Sequence, residues 1–221
     1  MARTAEARDF DYYPAFLDLY RKRVVVIGGG ELATGKVSGL LPCGPDPLVV
    51  IAPWASDFVQ EHEQAGHLAW YRREYRDGDL ADAELCFAAT NDRDVNAVVA
   101  IEARRRGTLV LAIDDIPNCD FIAPAIVRRG RMVVAISTQG RSPAMASHTR
   151  RTLERDLPDE WGALLDVAAT VRDRLGPARS RIAPEAWQVA LDDDLKELVW
   201  QHRLEDAAEL LHRRLIAEVV S

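Results

Sequence analysis

The most constraining feature of this sequence is a short aliphatic run that leads directly into a glycine-rich turn and a helix. Val24–Ile27 precede three glycines, and the segment fits the pattern G-x-G-x-x-A on Gly28, Gly30 and Ala33. The first glycine permits a tight turn, and the second lets the backbone approach a pyrophosphate. The alanine keeps the helix close to the strand. The segment therefore predicts a dinucleotide-binding strand–turn–helix.

Strand-like and helix-like segments alternate from residue 23 to about residue 113. The strand-like runs lack polar alternation, which is typical of strands buried on both faces of a parallel sheet. They are Val24–Ile27, Leu48–Ala52, Leu68–Tyr71, Leu85–Ala89 and Leu109–Ile113. The helices predicted between them are Glu31–Leu41, Phe58–Ala65 and Asp92–Arg106. This alternation predicts an α/β fold with a Rossmann-type, doubly wound parallel sheet.

The alternation ends after the fifth strand-like run. Two β-rich runs, Phe121–Val127 and Arg131–Ile136, flank the basic turn Arg128–Gly130, which predicts a β-hairpin. Ser142 and Pro143 have the residue types of an N-cap and a first helical position. We expect that helix to end near residue 157.

The rest of the chain, residues 159–221, predicts two or three more helices. We therefore expect a nucleotide-binding domain over residues 1–115, a hairpin and helix over residues 116–157, and a C-terminal helical domain over residues 158–221.

Charge and cysteine content narrow the class of protein. With 28 basic and 35 acidic residues the formal charge is -7, which argues against a nucleic-acid partner. The three cysteines are widely spaced and the five histidines lack metal-ligand spacing, so we expect no metal site. No apolar run approaches the roughly 20 residues that span a bilayer. The first 16 residues lack the apolar stretch of a secretory signal, so we expect that they are not one. We expect a cytoplasmic protein with no membrane partner.

Three local features bear on chemistry, and each has a structural alternative. Asp114 and Asp115 end the fifth strand, where α/β sheets bind ligands, but such a pair also caps turns. Residues 137–142 lead into a helix N-terminus, which suits either an anion site or an ordinary capped helix. The acid that normally binds the adenosine ribose is missing after the second strand, where Pro53 and Trp54 stand. The choice between NAD and NADP therefore cannot be made from this position.

Longer blocks carry a family resemblance. They are Tyr13–Leu19, Gly28–Ala33 with Lys36, Ala88–Asp92 with Asn96, Asp114–Pro124 and Ala135–Ala144. In this order they resemble the precorrin-2 dehydrogenase/sirohydrochlorin ferrochelatase family, which also forms the N-terminal part of siroheme synthase. The resemblance implies oxidation of precorrin-2 to sirohydrochlorin with NAD as the hydride acceptor. Some members also insert ferrous iron. It further implies a homodimer that forms through the hairpin and the helices after it.

The resemblance also implies roles for individual residues. The aspartate to which the family assigns catalysis matches Asp114. The residues that match its dinucleotide site are Gly28, Gly30, Glu31, Leu32, Pro53, Trp54, Thr90 and Asn96. Those that match its tetrapyrrole-binding loop are Ser137, Thr138, Gly140 and Ser142. The chain departs from the family at Leu111, where an asparagine is common.

Two other classes of function remain. One is a non-catalytic NAD-binding sensor that transmits redox state through the helical tail, and the other is an interaction protein descended from the enzyme. The aspartate block and the Ser-Thr loop favour the enzyme over the sensor, because a sensor needs neither. The departure at Leu111 is what suggests the interaction protein. Turnover of precorrin-2 separates the enzyme from the sensor.

Overall fold

A computed structural model describes residues 12–220 of the chain. The chain divides into two units, which we call the sheet unit (Met1–Ala123) and the hairpin–helix unit (Pro124–Ser221). Each unit has an apolar core of its own.

The sheet unit is built on five parallel strands in the order β3-β2-β1-β4-β5. The strands are β1 (Val24–Ile27), β2 (Leu48–Ile51), β3 (Ala69–Tyr71), β4 (Leu85–Ala88) and β5 (Leu109–Ala112). Every residue of β1, β2 and β4 is buried, as their uninterrupted apolar sequences predict. The Rossmann-type sheet predicted from the sequence is confirmed.

Three helices connect these strands: α1 (Glu31–Leu40), α2 (Asp57–Gln64) and α3 (Arg93–Arg106). The bounds of α3 follow from the residues at its two ends. The Asp92 side chain accepts hydrogen bonds from two amides of its first turn, and Gly107 ends it in the left-handed conformation with φ 77°. Strand order and connections bring the ends of β1, β2 and β4 together at one edge of the sheet.

The hairpin is present, but its strand bounds and its turn differ from the prediction. Its strands are β6 (Ala125–Arg129) and β7 (Met132–Ile136), and Arg129 pairs with Met132. The turn is therefore Gly130 and Arg131, not Arg128–Gly130. The predicted start at Phe121 was wrong because residues 120–121 belong to the sheet unit: the Asp120 amide donates to the Val110 carbonyl at 2.8 Å, and the Phe121 ring packs edge-on against a core phenylalanine.

Five α-helices follow the hairpin: α4 (Pro143–Asp156), α5 (Glu160–Leu175), α6 (Pro184–Ala190), α7 (Asp193–Trp200) and α8 (Leu204–Val220). Four of them lie beyond residue 159, so the expected two or three was wrong. The Asp192 carboxylate caps α7, and His202 with φ 59° separates α7 from α8. Among residues 12–220, no helix combines the length and apolar character that a membrane span requires.

Candidate functional site

The turn after β1 is shaped by backbone that approaches it from two sides. A Cβ atom on Gly28 would lie 2.3 Å from the Ala89 carbonyl oxygen, and one on Gly29 would lie 2.0 Å from that of Trp54. Gly28 also has φ 118°, which side chains rarely adopt. These contacts tie the ends of β1, β2 and β4 into one cradle. Sequence reasoning missed Gly29, because the G-x-G-x-x-A pattern leaves that position free.

The third glycine is different, because the space above it is open. A Cβ atom on Gly30 would meet only the Trp54 ring, at 3.5 Å. Gly30 also precedes the first residue of α1, and no side chain caps that helix N-terminus. A helix N-terminus with uncapped N–H groups and no side chain in front of it suits a pyrophosphate. The cradle thus fits the phosphates of a dinucleotide.

A cavity of about 850 Å³ opens over this cradle. It lies along the carboxyl ends of the parallel strands, where open α/β sheets bind ligands. Its lining includes seven of the eight predicted dinucleotide residues: Gly28, Gly30, Glu31, Leu32, Pro53, Trp54 and Thr90. Four acidic residues also line it, Glu31, Glu74, Asp92 and Asp94. Within residues 12–220, no lysine, arginine or histidine contributes to this lining.

The eighth predicted residue, Asn96, lies behind the lining rather than in it. Its side chain is 2% exposed. Its amide nitrogen donates to the Thr90 carbonyl at 3.0 Å, and its amide oxygen accepts from the Thr90 hydroxyl at 2.7 Å. Asn96 therefore fixes the position of Thr90, which itself lines the cavity.

A wall of the cavity that sequence reasoning missed comes from the loop after β3. Glu74 and Tyr75 line the cavity there. The Tyr75 hydroxyl and the Gly78 amide both donate to the carboxylate of Glu102, which is 1% exposed and also accepts from Arg106 at 2.5 Å. Burial and the hydrogen bond to that carboxylate raise the pKa of Tyr75. The only signal in the sequence was the position of the loop, directly after a parallel strand.

The two neighbouring aspartates after β5 differ in what they do. The Asp115 carboxylate accepts a hydrogen bond from the Asn118 side chain at 2.6 Å and so stabilises the turn. Asp114 is exposed and left-handed, with φ 58°, and no described residue forms a hydrogen bond or an ion pair with its carboxylate. Non-glycine residues in that conformation often mark functional sites. Asp114 does not line the cavity described above.

The predicted tetrapyrrole-binding loop lies in the hairpin–helix unit and is internally bonded. The Ser142 hydroxyl accepts from the Met145 amide at 3.1 Å, which makes it the N-cap of α4 as predicted. The Thr138 hydroxyl accepts from the Ser142 amide and donates to the Ser142 carbonyl. The Ser137 hydroxyl accepts from the amide of residue 139, and Gly140 has φ 75°. The loop is thus an ordered helix cap, and its role toward substrate stays a prediction.

A family model described as NAD(P)-binding matches residues 15–125, half of the chain. The chain belongs to this NAD(P)-binding family. The match covers the glycine turn and the loops after β2, β3 and β4, which line the cavity. Membership of this family supports a nicotinamide cofactor.

Curated relatives are siroheme synthases. The chain is 36% identical over 212 residues to siroheme synthase 1 of Pectobacterium atrosepticum, covering 93% of this chain and 43% of that protein. It is 37% identical over 212 residues to siroheme synthase of Sodalis glossinidius, covering 94% of this chain and 44% of that protein. The chain therefore spans less than half the length of these relatives.

A solved structure resembles the chain over nearly all of its length. SirC, a precorrin-2 dehydrogenase, superposes with a TM-score of 0.73 at 28% sequence identity, covering 90% of this chain and 99% of SirC. The family resemblance inferred from the sequence blocks is confirmed.

Proposed function

We propose that this chain oxidises precorrin-2 to sirohydrochlorin with NAD, a step of siroheme biosynthesis. The observation that carries the proposal is the glycine cradle under an open, acid-lined cavity, in a chain similar to a precorrin-2 dehydrogenase over nearly its whole length. NAD held by the glycine cradle would supply the acceptor for a hydride from a ring carbon of the substrate. A proton leaves the macrocycle in the same reaction, so the products are sirohydrochlorin, NADH and one proton.

We propose that the Asp114 carboxylate accepts that proton. This carboxylate is exposed and engaged by no described residue, whereas that of Asp115 is held by Asn118. A free carboxylate at a strand end is suited to accept a proton. Ser137, Thr138, Gly140 and Ser142 are proposed to bind substrate carboxylates, because hydroxyls and helix N–H groups bind anions.

The primary test is an anaerobic assay of the purified protein with precorrin-2 and NAD, followed by NADH absorbance. Enzymatic turnover is expected, whereas a sensor or an interaction protein would bind NAD without producing NADH. Adding ferrous iron afterwards tests the proposed second activity, ferrochelation, through the spectral change of the tetrapyrrole. Size-exclusion chromatography with light scattering tests the proposed homodimer.

Asp114→Asn tests the catalytic assignment. The substitution keeps the shape but removes the charge and a proton-accepting oxygen, so turnover should fall by about 10²–10⁴-fold. NAD affinity and thermal stability should change little, because Asp114 is exposed and outside the cavity lining. Asp115→Asn is the matched control and should retain turnover. Near-normal turnover in Asp114→Asn would exclude the assignment.

A further inference from the structure

We propose that Glu74 takes the place of the missing ribose-binding acid, so that this side chain selects a dinucleotide with a free 2′-hydroxyl against one with a 2′-phosphate. The inference rests on the proposed use of the cavity as a dinucleotide site. In most dinucleotide folds the selecting acid follows the second strand. Here that position carries Pro53 and Trp54, and the nearest acid along the chain is Asp57, which does not line the cavity.

The register of the sheet brings an acidic residue to the same edge of the cavity from the neighbouring strand. β3 pairs with β2 in parallel, Ile51 opposite Tyr71, and the Ala52 amide donates to the Tyr71 carbonyl at 3.1 Å. Glu74 follows three residues after Tyr71, and it lines the cavity together with Trp54. The acid therefore lies next to the end of β2, on the adenosine side of the cradle.

A 2′-phosphate site would need a free cation, and the arginines near Glu74 are the obvious candidates. The two that precede it, Arg72 and Arg73, are both engaged in other contacts. The Arg73 guanidinium binds the Asp79 carboxylate through two hydrogen bonds of 2.6 and 2.7 Å. Arg72 stacks on the Trp70 ring at 4.4 Å. Neither side chain lines the cavity.

The pKa directions agree with the pairing of Arg73. Burial alone would raise the pKa of the Asp79 carboxyl, but the hydrogen bonds from Arg73 and from the Arg76 amide outweigh it and lower that pKa. The same hydrogen bond raises the pKa of Arg73. The ion pair is therefore maintained at neutral pH, and Arg73 is not free to bind a phosphate.

The two chain neighbours of Glu74 are both held by side-chain contacts. Arg73 is tied to Asp79 on one side of it, and Tyr75 is bonded to the buried Glu102 on the other. Because both neighbours are fixed, the backbone that carries Glu74 needs little further ordering when its carboxylate accepts hydrogen bonds from a ribose hydroxyl. The same carboxylate repels a phosphate, and no cation among the lining residues offsets that repulsion.

The test is a comparison of dissociation constants for NAD and NADP by calorimetry, with wild-type protein, Glu74→Gln and Asp77→Asn. Asp77 is the matched control: it lies on the same loop, carries the same charge and binds Arg105 at 2.6 Å, outside the cavity lining. Wild-type protein should bind NAD at least about tenfold more tightly than NADP, a difference of roughly 1.4 kcal/mol. Glu74→Gln should lose most of that ratio, through weaker NAD and tighter NADP binding.

Measuring both dissociation constants at several ionic strengths separates repulsion of the 2′-phosphate from hydrogen bonding to the ribose. The wild-type preference for NAD should shrink as ionic strength rises, because screening weakens the repulsion of the 2′-phosphate. That dependence should be much smaller in Glu74→Gln.

An unchanged NAD/NADP ratio in Glu74→Gln, or an equal change in Asp77→Asn, would overturn the inference. Binding of neither dinucleotide by the wild-type protein would overturn the inference and the proposed function together. If NAD binds with the expected selectivity but precorrin-2 is not oxidised, the proposed function fails and the role of Glu74 stands. Circular dichroism confirms that each variant is folded.

Discussion

The interiors of the two units differ in what they bury. The hairpin–helix unit has a core of leucine, valine, isoleucine and alanine side chains. The sheet unit buries polar side chains as well, and within the described residues these are Asn96, Glu102 and Thr108, each at most 3% exposed. All three form hydrogen bonds to loop backbone or loop side chains.

Two of the three buried polar side chains form hydrogen bonds to residues that line the cavity. Asn96 bonds to Thr90, and Glu102 bonds to Tyr75, and both of these partners line the cavity. Burying a polar group is costly unless its hydrogen bonds are satisfied. We infer that the sheet unit accepts that cost where a loop must be held for a ligand. Apolar packing alone suffices to stabilise helices against one another.

Leu211→Ala in α8 should give the largest loss of stability. Leu211 is fully buried in the helical core, so its truncation should lower the free energy of unfolding by about 2–5 kcal/mol. If the interior of this unit serves packing alone, NAD affinity measured well below the melting temperature should not change. Leu210→Ala, at a half-buried neighbouring position, should cost less. A loss of NAD affinity in Leu211→Ala would break the contrast between the two interiors.

Substitutions at the glycines of the cradle should give the next largest loss of stability. They should also distinguish a glycine needed for folding from one needed for NAD binding. Gly29→Ala forces a Cβ against the Trp54 carbonyl, so it should destabilise the protein by about 1–3 kcal/mol. Gly30→Val meets only the Trp54 ring and leaves an extended backbone, so the protein should fold normally. The valine would nevertheless fill the place of the pyrophosphate, and NAD binding should be lost. Thermal melts and NAD titrations of both variants check this; unchanged NAD affinity in Gly30→Val would remove Gly30 from the site.

These glycines also show how far the sequence could predict the site. Gly28 and Gly30 were predictable because a short local motif specifies their roles. Gly29 was not, because its need for glycine comes from the approach of Trp54, which is distant in sequence. The wall formed by Glu74 and Tyr75 was missed for the same reason, since it depends on the order β3-β2-β1.

The strands, the helices of the sheet unit and the cap at Ser142 were predictable from local patterns. The start of the first hairpin strand was not, because a contact outside the hairpin decides where that strand begins. The Asp120 carboxylate accepts a hydrogen bond from the Val110 amide of β5 at 3.1 Å. This contact holds the chain just before the hairpin against the sheet. Local propensity favours a strand at residues 121–124, but this tertiary contact overrides it.

Glu102→Gln should have an intermediate effect that reaches the cavity. The amide nitrogen of glutamine cannot accept hydrogen bonds, so at least one of the donors Tyr75, Gly78 and Arg106 loses its partner. The expected loss of stability is about 1–3 kcal/mol. Because Tyr75 lines the cavity, NAD affinity should also fall by several fold. Calorimetry with NAD and a thermal melt measure both effects, and a stability loss without any change in affinity would contradict the proposed support of the cavity wall.

Ser142→Ala should have the smallest effect on stability, and it tests whether a polar loop of the hairpin–helix unit also serves a ligand. Loss of the hydrogen bond to the Met145 amide should lower the free energy of unfolding by about 1 kcal/mol. If the loop binds a substrate carboxylate, KM for precorrin-2 should rise while NAD affinity stays constant. Ser142→Thr, which retains the hydroxyl and the cap, should restore both properties. A stability loss with unchanged KM would leave Ser142 with the capping role alone, and the contrast between the two units would then extend to their loops.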